Sequence, residues 1–491
     1  MAIDAPETDL LAQTRRAAPP ARLRHIHLVG IGGSAMTALA GMLSARGFRV
    51  SGSDVEVYEP AASLLGKLKV DLRKGFAAGN LDPRPDLVVI GNVVTAANPE
   101  AVAVLSSNIP YLSMPEAVRH FLLEGRRVLM VAGTHGKTTS SAMLAHVLTE
   151  AGRDPAMLIG GVARNFGSNH RLGGGRDFVI EGDEYDSAFF DKRPKFLHYN
   201  PWGVILTAVE FDHADIYRDL QHVESAFRAL VTQLDQTRRL VVCAEQPRAM
   251  AVSDGDSAPR LTYGFGRADF VAVDIRTDGP VERFAIVEHG RRVDFEFKLS
   301  ISGRMNILNA LGVYALLRES GLGAEEIARG LASFAGVARR QELVGEAGGV
   351  TVIDDFAHHP TAVRVTLDAL AGRFAGRRLL VAFEPRSNTS RRRVFQEQFA
   401  RAFDRAAYLY LAPVYFKEND PLPVSERLDT QKLARAVSTR GCIGYACARD
   451  EEIIERMLTD ARAGDVAVFM SNGPFGNLKE RFLSALRARR S

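Results

Sequence analysis

The residues best equipped for chemistry stand in the string GTHGKTT at residues 133–139, directly before a run of helix-forming side chains. Glycines let backbone N–H groups approach phosphate oxygens, and a helix start adds positive potential. The Lys137 ammonium can meet the outer phosphates and the Thr138 hydroxyl can ligate Mg2+. Gly133, Thr134, His135, Gly136, Lys137, Thr138 and Thr139 are therefore the candidate ATP-binding loop. A plain strand-to-helix turn explains the glycines but not the Lys-Thr pair that follows them. The general phosphate loop carries a further glycine, and here Val131 takes its place. This shortened form argues against GTPases, kinases and transport ATPases.

A second cluster, Gly30, Gly32 and Gly33 with Ala35 in the third fingerprint position, has the form GxGxxA, and Asp54 follows the next strand-like segment. A nicotinamide enzyme would use Asp54 on a ribose hydroxyl, but the same turn accepts any diphosphate, and it also packs closely with no ligand at all. Because a separate ATP loop begins about 100 residues later, a substrate diphosphate is the expected ligand of this turn and of Ser34 behind it. Two acidic strings complete the set: EGDEYD, opening with Glu181, and EFDHADIY, with Asp212, His213 and Asp215. In α/β sheets the carboxyl ends of strands converge on the ligand crevice, so a carboxylate there can hold Mg2+. Taken alone, His213 reads at least as well as a satisfied polar histidine, since Mg2+ prefers oxygen.

These groups need elements to bring them together. From His25 the sequence alternates a strand (HIHLVG), a glycine turn, an apolar helix and two further strands, which is a βαβ rhythm. It restarts at RVLMVAG near Arg127 and again at VTVIDDF after Gln341. The expected fold class is α/β with three domains. These are a Rossmann-like domain over residues 23–123, a central ATP-binding domain over 124–340 and a second Rossmann-like domain over 341–491. The alternating stretch at 252–300 predicts a small antiparallel sheet beside the central parallel one. A chain of 491 residues is too long for one core. The balance of 62 basic against 58 acidic side chains gives no reason to propose nucleic acid or an anionic membrane as partner. Three cysteines, Cys243, Cys442 and Cys447, form neither a disulfide framework nor a zinc pattern, which fits a reducing compartment. No apolar run approaches the roughly 20 residues that span a bilayer, and residues 1–22 read as a frayed tail.

GTHGKTT, EGDEYD and EFDHAD, followed by GRMNILNA, GVARRQE and IDDFAHHPT, resemble the Mur ligase family from about residue 24 to 485. The resemblance implies a cytoplasmic bacterial ligase that uses ATP and Mg2+ to activate a carboxylate as an acyl phosphate and captures it with an amine. The GIGGSAM turn is similar to members acting on UDP-N-acetylmuramate. The longer strings EGDEYDSAFFDKRPKFLHY, DDFAHHPTAV and EPRSNT are more similar to the branch that joins the murein tripeptide, L-alanyl-γ-D-glutamyl-meso-diaminopimelate, for recycling than to the branch that adds L-alanine. It implies ATP phosphates on Lys137, Mg2+ at Thr138 and Glu181, and a second metal at His213. It further places adenine near Asn306, phosphate at Arg340, ribose at Asp355, the UDP-sugar at Gly30, Gly32, Gly33, Ser34 and Asp54, and the acceptor's carboxylates at Arg386 and Asn388. A guanidinium suits that last task because it grips a carboxylate through two parallel hydrogen bonds. The expected assembly is a monomer or weak homodimer, with hinges near residues 124 and 340.

The chain departs from the family's pattern at Met305, where histidine is usual, at Ala208, where asparagine is frequent, and at AANP, residues 96–99. Arg228 stands where some relatives carry a carbamylated lysine, and Pro474 and Asn477 alter the last glycine-rich motif. Two rival classes make distinct demands. A redox enzyme on the first glycine turn needs nicotinamide and no ATP, whereas a non-catalytic ATP switch tolerates loss of Glu181 and His213.

Overall fold

The structure, a computed structural model, describes residues 22–59, 61–255, 258–416 and 422–489, so the tail expected over residues 1–22 lies, but for Arg22, outside the described residues. Three large sheets follow one another along the chain, with a two-stranded hairpin of Asp186–Ala188 and Asp191–Pro194 besides. In the first, five parallel strands run in the order Asp71–Lys74, Arg49–Asp54, His25–Val29, Leu87–Ile90, Tyr111–Ser113. The order reverses beside His25–Val29, where the glycine turn emerges, and such a reversal opens a crevice at the strands' carboxyl ends.

The central sheet has eleven strands. Its parallel heart orders Arg239–Cys243, Gly203–Leu206, Arg127–Ala132, Asp177–Gly182 and Ala156–Ala163. Strand Arg127–Ala132 is apolar after its first residue because it is covered on both faces: Val128, Met130 and Ala132 join one buried cluster, Leu129 and Val131 the other. The strands expected at 252–300 form, but not as a separate sheet. Arg260–Gly264 pairs parallel with Arg239–Cys243 and passes the ladder to Phe270–Asp278, after which Val281–Glu288, Arg291–Arg292 and Phe297–Leu299 continue antiparallel. One sheet thus changes from parallel to antiparallel along its width.

The third sheet holds six strands in the order Glu342–Ala347, Val350–Asp355, Val466–Met470, Leu379–Phe383, Tyr408–Leu411, Ile443–Ala446, parallel except for the first. Successive residues such as Val352 and Ile353 again enter opposite clusters. The first two sheets share one apolar core running from Ile26 and Leu28 through Met36 to Val128 and Met130. Among the described residues no helix is long and apolar enough to cross a membrane.

Candidate active site

The phosphate loop leaves strand Arg127–Ala132 and enters helix Lys137–Glu150. Two of its positions require glycine. Gly133 and Gly136 have φ of 130° and 83°, and a Cβ on them would lie 2.8 Å from the Ala208 backbone and 2.6 Å from Asn309 Oδ1. The neighbouring strand Gly203–Leu206 fixes the loop through its continuation. The Ala208 carbonyl accepts from Thr134 N–H at 2.8 Å, and Thr207 Oγ1 donates to the His135 carbonyl at 2.5 Å. The departure at Ala208 therefore costs the loop no hydrogen bond from that residue's backbone. Thr139 lies buried in the first helical turn.

The Lys137 ammonium donates to the Gly133 carbonyl at 2.6 Å and to Glu184 Oε2 at 2.8 Å. Burial opposes its charge, but Glu184, Asp183 and Glu181 outweigh that and hold its pKa above the ordinary value. Thr138 Oγ1 donates to Glu181 Oε2 at 3.1 Å, while the other Glu181 oxygen accepts from Gly160 N–H at 2.5 Å. Burial, reinforced by Asp183, pushes the Glu181 carboxyl up to about 7. Asp183 is half-buried, which opposes its charge, yet Lys195 and Lys137 hold its carboxyl below the usual range. His213 Nε2 lies 3.6 Å from Glu184 Oε1, a buried oxygen without a hydrogen-bond partner among the described residues. The residues expected at the metals thus form two groups, Thr138 with Glu181 and His213 with Glu184, and the Lys137 ammonium bonds to the second. The hydroxyl and carboxylates supply hard oxygen donors, and Glu181, pushed up by burial and by a like charge, is what a divalent cation would relieve. The set fits Mg2+.

At the first glycine turn Gly30 has φ of 81°, and Asp54 accepts from the N–H groups of Gly32 and Val55, each at 2.8 Å. Asp54 therefore shapes the turn. Gly33 leads into helix Ser34–Ala45, and the Ser34 hydroxyl accepts from Asn169 of the central domain at 3.1 Å. A cavity of about 280 Å³ joins the two halves of the site, with Gly30, Gly33 and Ser34 on one wall and Gly160, Glu181, Asp183 and Lys195 on the other.

The third sheet closes the opposite side. Arg339 and Gln341, with φ of 58° and 49°, flank Arg340 in a strained link, and Gln341 N–H donates to Asp355 at 2.8 Å. The Arg340 guanidinium lies 4.9 Å from the centre of the Phe356 ring and feels both Asp355 and Glu181. Asn306 accepts from Asn309 at 3.2 Å, which ties it to Gly136; Met305 beside it is half-buried. Arg386 lies 3.3 Å from Glu384 and stacks 3.9 Å from the Tyr415 ring centre. Asn388 donates to Asp215 at 2.7 Å, and Thr389 donates to Asp212. Arg228 is exposed on helix Leu220–Thr232. Sequence reasoning singled out neither Glu184, Asp183 and Lys195 nor Asn309 and Glu210. Of these, the acids of EGDEYD and the first residue of EFDHADIY lay in strings whose acidity gave a signal.

Three family profiles match in order. "Mur ligase family, catalytic domain" covers residues 25–126, "Mur ligase middle domain" 131–317 and "Mur ligase, glutamate ligase domain" 339–473. The UDP-N-acetylmuramate–L-alanyl-gamma-D-glutamyl-meso-2,6-diaminoheptandioate ligase of Escherichia coli (strain K12) is 38% identical over 94% of this chain and 98% of its own. A UDP-N-acetylmuramate–L-alanine ligase of Syntrophobacter fumaroxidans is 32% identical over 95% and 97%. The crystal structure of a murein peptide ligase from Psychrobacter arcticus 273-4 superposes with a TM-score of 0.71 at 32% identity, covering 94% of this chain and 99% of that one.

Proposed function

Because the chain belongs to the Mur ligase family, we propose that it joins UDP-N-acetylmuramate to the tripeptide L-alanyl-γ-D-glutamyl-meso-diaminopimelate at the expense of ATP. The observation that carries this reading is the cavity of about 280 Å³ running from the diphosphate turn at Gly30 to the carboxylates beside the phosphate loop. Such a cavity supports a reading in which a sugar nucleotide's acid is brought toward a triphosphate's terminal group.

The substrate carboxylate attacks the γ-phosphorus, the bond to the β,γ-bridging oxygen breaks and ADP leaves. The acceptor amine then attacks the acyl carbon, the bond to the phosphate oxygen breaks and inorganic phosphate leaves, the amine losing its proton. Lys137 moves its ammonium from the Gly133 carbonyl to the γ-phosphate, and the loop N–H groups hold the inner phosphates. Lys195, buried in the cavity wall, balances Asp183 and draws in the substrate's carboxylate. Thr138, Glu181 and, through Glu184, His213 would hold Mg2+. That ion supplies charge neutralisation at the transferred phosphoryl group, where positioning and electrostatics rather than a protein nucleophile do the catalysis. Arg386, half-exposed beside Tyr415, and Asn388 face the acceptor's carboxylates. Water must be excluded, since an acyl phosphate hydrolyses, and closure of the third sheet over residues 212–215 does this.

The test is ADP formation with UDP-N-acetylmuramate and a panel of acceptors: L-alanine, the dipeptide, and tripeptides ending in diaminopimelate or lysine. The diaminopimelate tripeptide should be preferred; preference for free L-alanine would move the chain to the other branch.

A further inference from the structure

Beyond the phosphate-facing carboxylates, three side chains from distant parts of the chain converge. His135 belongs to the phosphate loop, Glu210 follows strand Gly203–Leu206, and His359 caps helix Pro360–Arg373 of the third domain. One possible ligand atom from each lies within 4.8 Å of the others. Glu210 Oε2 stands 3.5 Å from His135 Nε2 and 3.9 Å from His359 Nδ1. A tetrahedral ion with bonds of roughly 2.0–2.2 Å holds its ligand atoms about 3.3–3.5 Å apart. The two pairs that include Glu210 already stand near that spacing, and the third, His135 to His359, closes from within 4.8 Å.

The hydrogen bonds orient the rings for that purpose. His359 Nδ1 accepts the Thr361 N–H at 3.3 Å, so its proton resides on Nε2, which donates to the Phe211 carbonyl at 3.2 Å. An N–H fixed by a backbone carbonyl is the arrangement that orients metal-bound histidines, and an ion would take the Nδ1 lone pair in place of the long bond from Thr361. The Thr361 hydroxyl pins Glu210 Oε2 at 2.6 Å. His135 Nε2 is buried and has no hydrogen-bond partner among the described residues; its side chain is 10% exposed.

We propose that His135, Glu210 and His359 form a binding site for one divalent cation of the Zn2+ class, which fastens the phosphate loop to the third domain. Two imidazoles and a carboxylate suit Zn2+ and leave a fourth position for water, whereas Mg2+ demands oxygen ligands and dehydrates reluctantly. The site is separate from Thr138 and Glu181, and occupancy does not depend on which substrate the enzyme takes. Because its ligands come from two domains that must part to release product, the ion slows turnover.

The test is calorimetric titration of the chelator-stripped full chain with Zn2+ in excess Mg2+, on wild type, Glu210→Gln, His359→Gln and His213→Gln. Wild type and His213→Gln should bind one equivalent, and the other two should lose affinity by at least roughly 100-fold. Wild-type protein loaded with Co2+ should show the intense visible bands of a four-coordinate site, a readout that requires no variant to fold. Absence of saturable binding, an octahedral Co2+ spectrum, or loss confined to His213→Gln would overturn the proposal, the last by placing the ion with the phosphate-facing carboxylates.

Discussion

Lys137 bridges a backbone carbonyl and a carboxylate that is only 2% exposed, so its substitution removes the charge proposed to meet the γ-phosphate and strands a buried one. Lys137→Ala should lower phosphate release by roughly 100-fold or more. It should also destabilise the protein by roughly 3–5 kcal/mol, the usual cost of breaking a buried ion pair from one side. Adding Glu184→Ala should recover part of that stability and none of the activity. Urea midpoints and ADP assays on the single and double variants check both halves. The cysteines make a contrasting prediction. Burial raises Cys243 and Cys447 to about 11 and Cys442 to about 12, so at pH 8 no more than roughly one thiol in a thousand is ionised. The native protein should leave all three unlabelled by a thiol reagent that modifies all three after denaturation, with labelling appearing only as pH rises toward 11. Rapid native labelling at pH 8 would contradict this burial.

The turn between strand Arg127–Ala132 and helix Lys137–Glu150 works because two residues in it lack Cβ. Gly136→Ala forces a side chain into a left-handed backbone and against Asn309, a strain of roughly 1–3 kcal/mol that the loop relieves by shifting. ATP-analogue affinity should fall roughly tenfold or more, with secondary structure unchanged by circular dichroism; undiminished affinity would mean the loop does not cradle phosphate. The strand, turn and helix were legible in the sequence because an apolar run, two glycines and a run of helix-forming residues follow one another there. Relations across the chain were not. Lys195 meets Asp183 only because the hairpin of Asp186–Ala188 and Asp191–Pro194 turns the chain back, and nothing local marks Glu210 as the partner of Thr361. The alternation at 252–300 identified strands covered on one face but could not say which neighbour they would join, so their fusion to the central sheet came from the structure. Strand Ala156–Ala163 went unread because two glycines interrupt its apolar pattern.

On the scale of the molecule, the third domain is tied over the phosphate loop by few polar contacts: Thr361 to Glu210, His359 to the Phe211 carbonyl, Asn388 to Asp215 and Thr389 to Asp212. Loops joined by so few bonds open at modest cost, and product release needs that opening. Thr361→Val should raise the radius of gyration of the substrate-free protein in solution scattering, and an ATP analogue with the UDP-sugar should restore the compact value; profiles identical to wild type in both states would show that these contacts do not govern closure. The strained link at Arg339 and Gln341 is the expected pivot. All of this serves one chemical event, transfer of the γ-phosphoryl group to a substrate carboxylate. That event is tested most directly by enriching the UDP-N-acetylmuramate carboxylate in heavy oxygen and analysing the inorganic phosphate released on amide formation. The account predicts one heavy oxygen in every phosphate, since the acyl phosphate surrenders a carboxylate oxygen when the amine displaces it. Phosphate free of the label, with amide still formed, would contradict it.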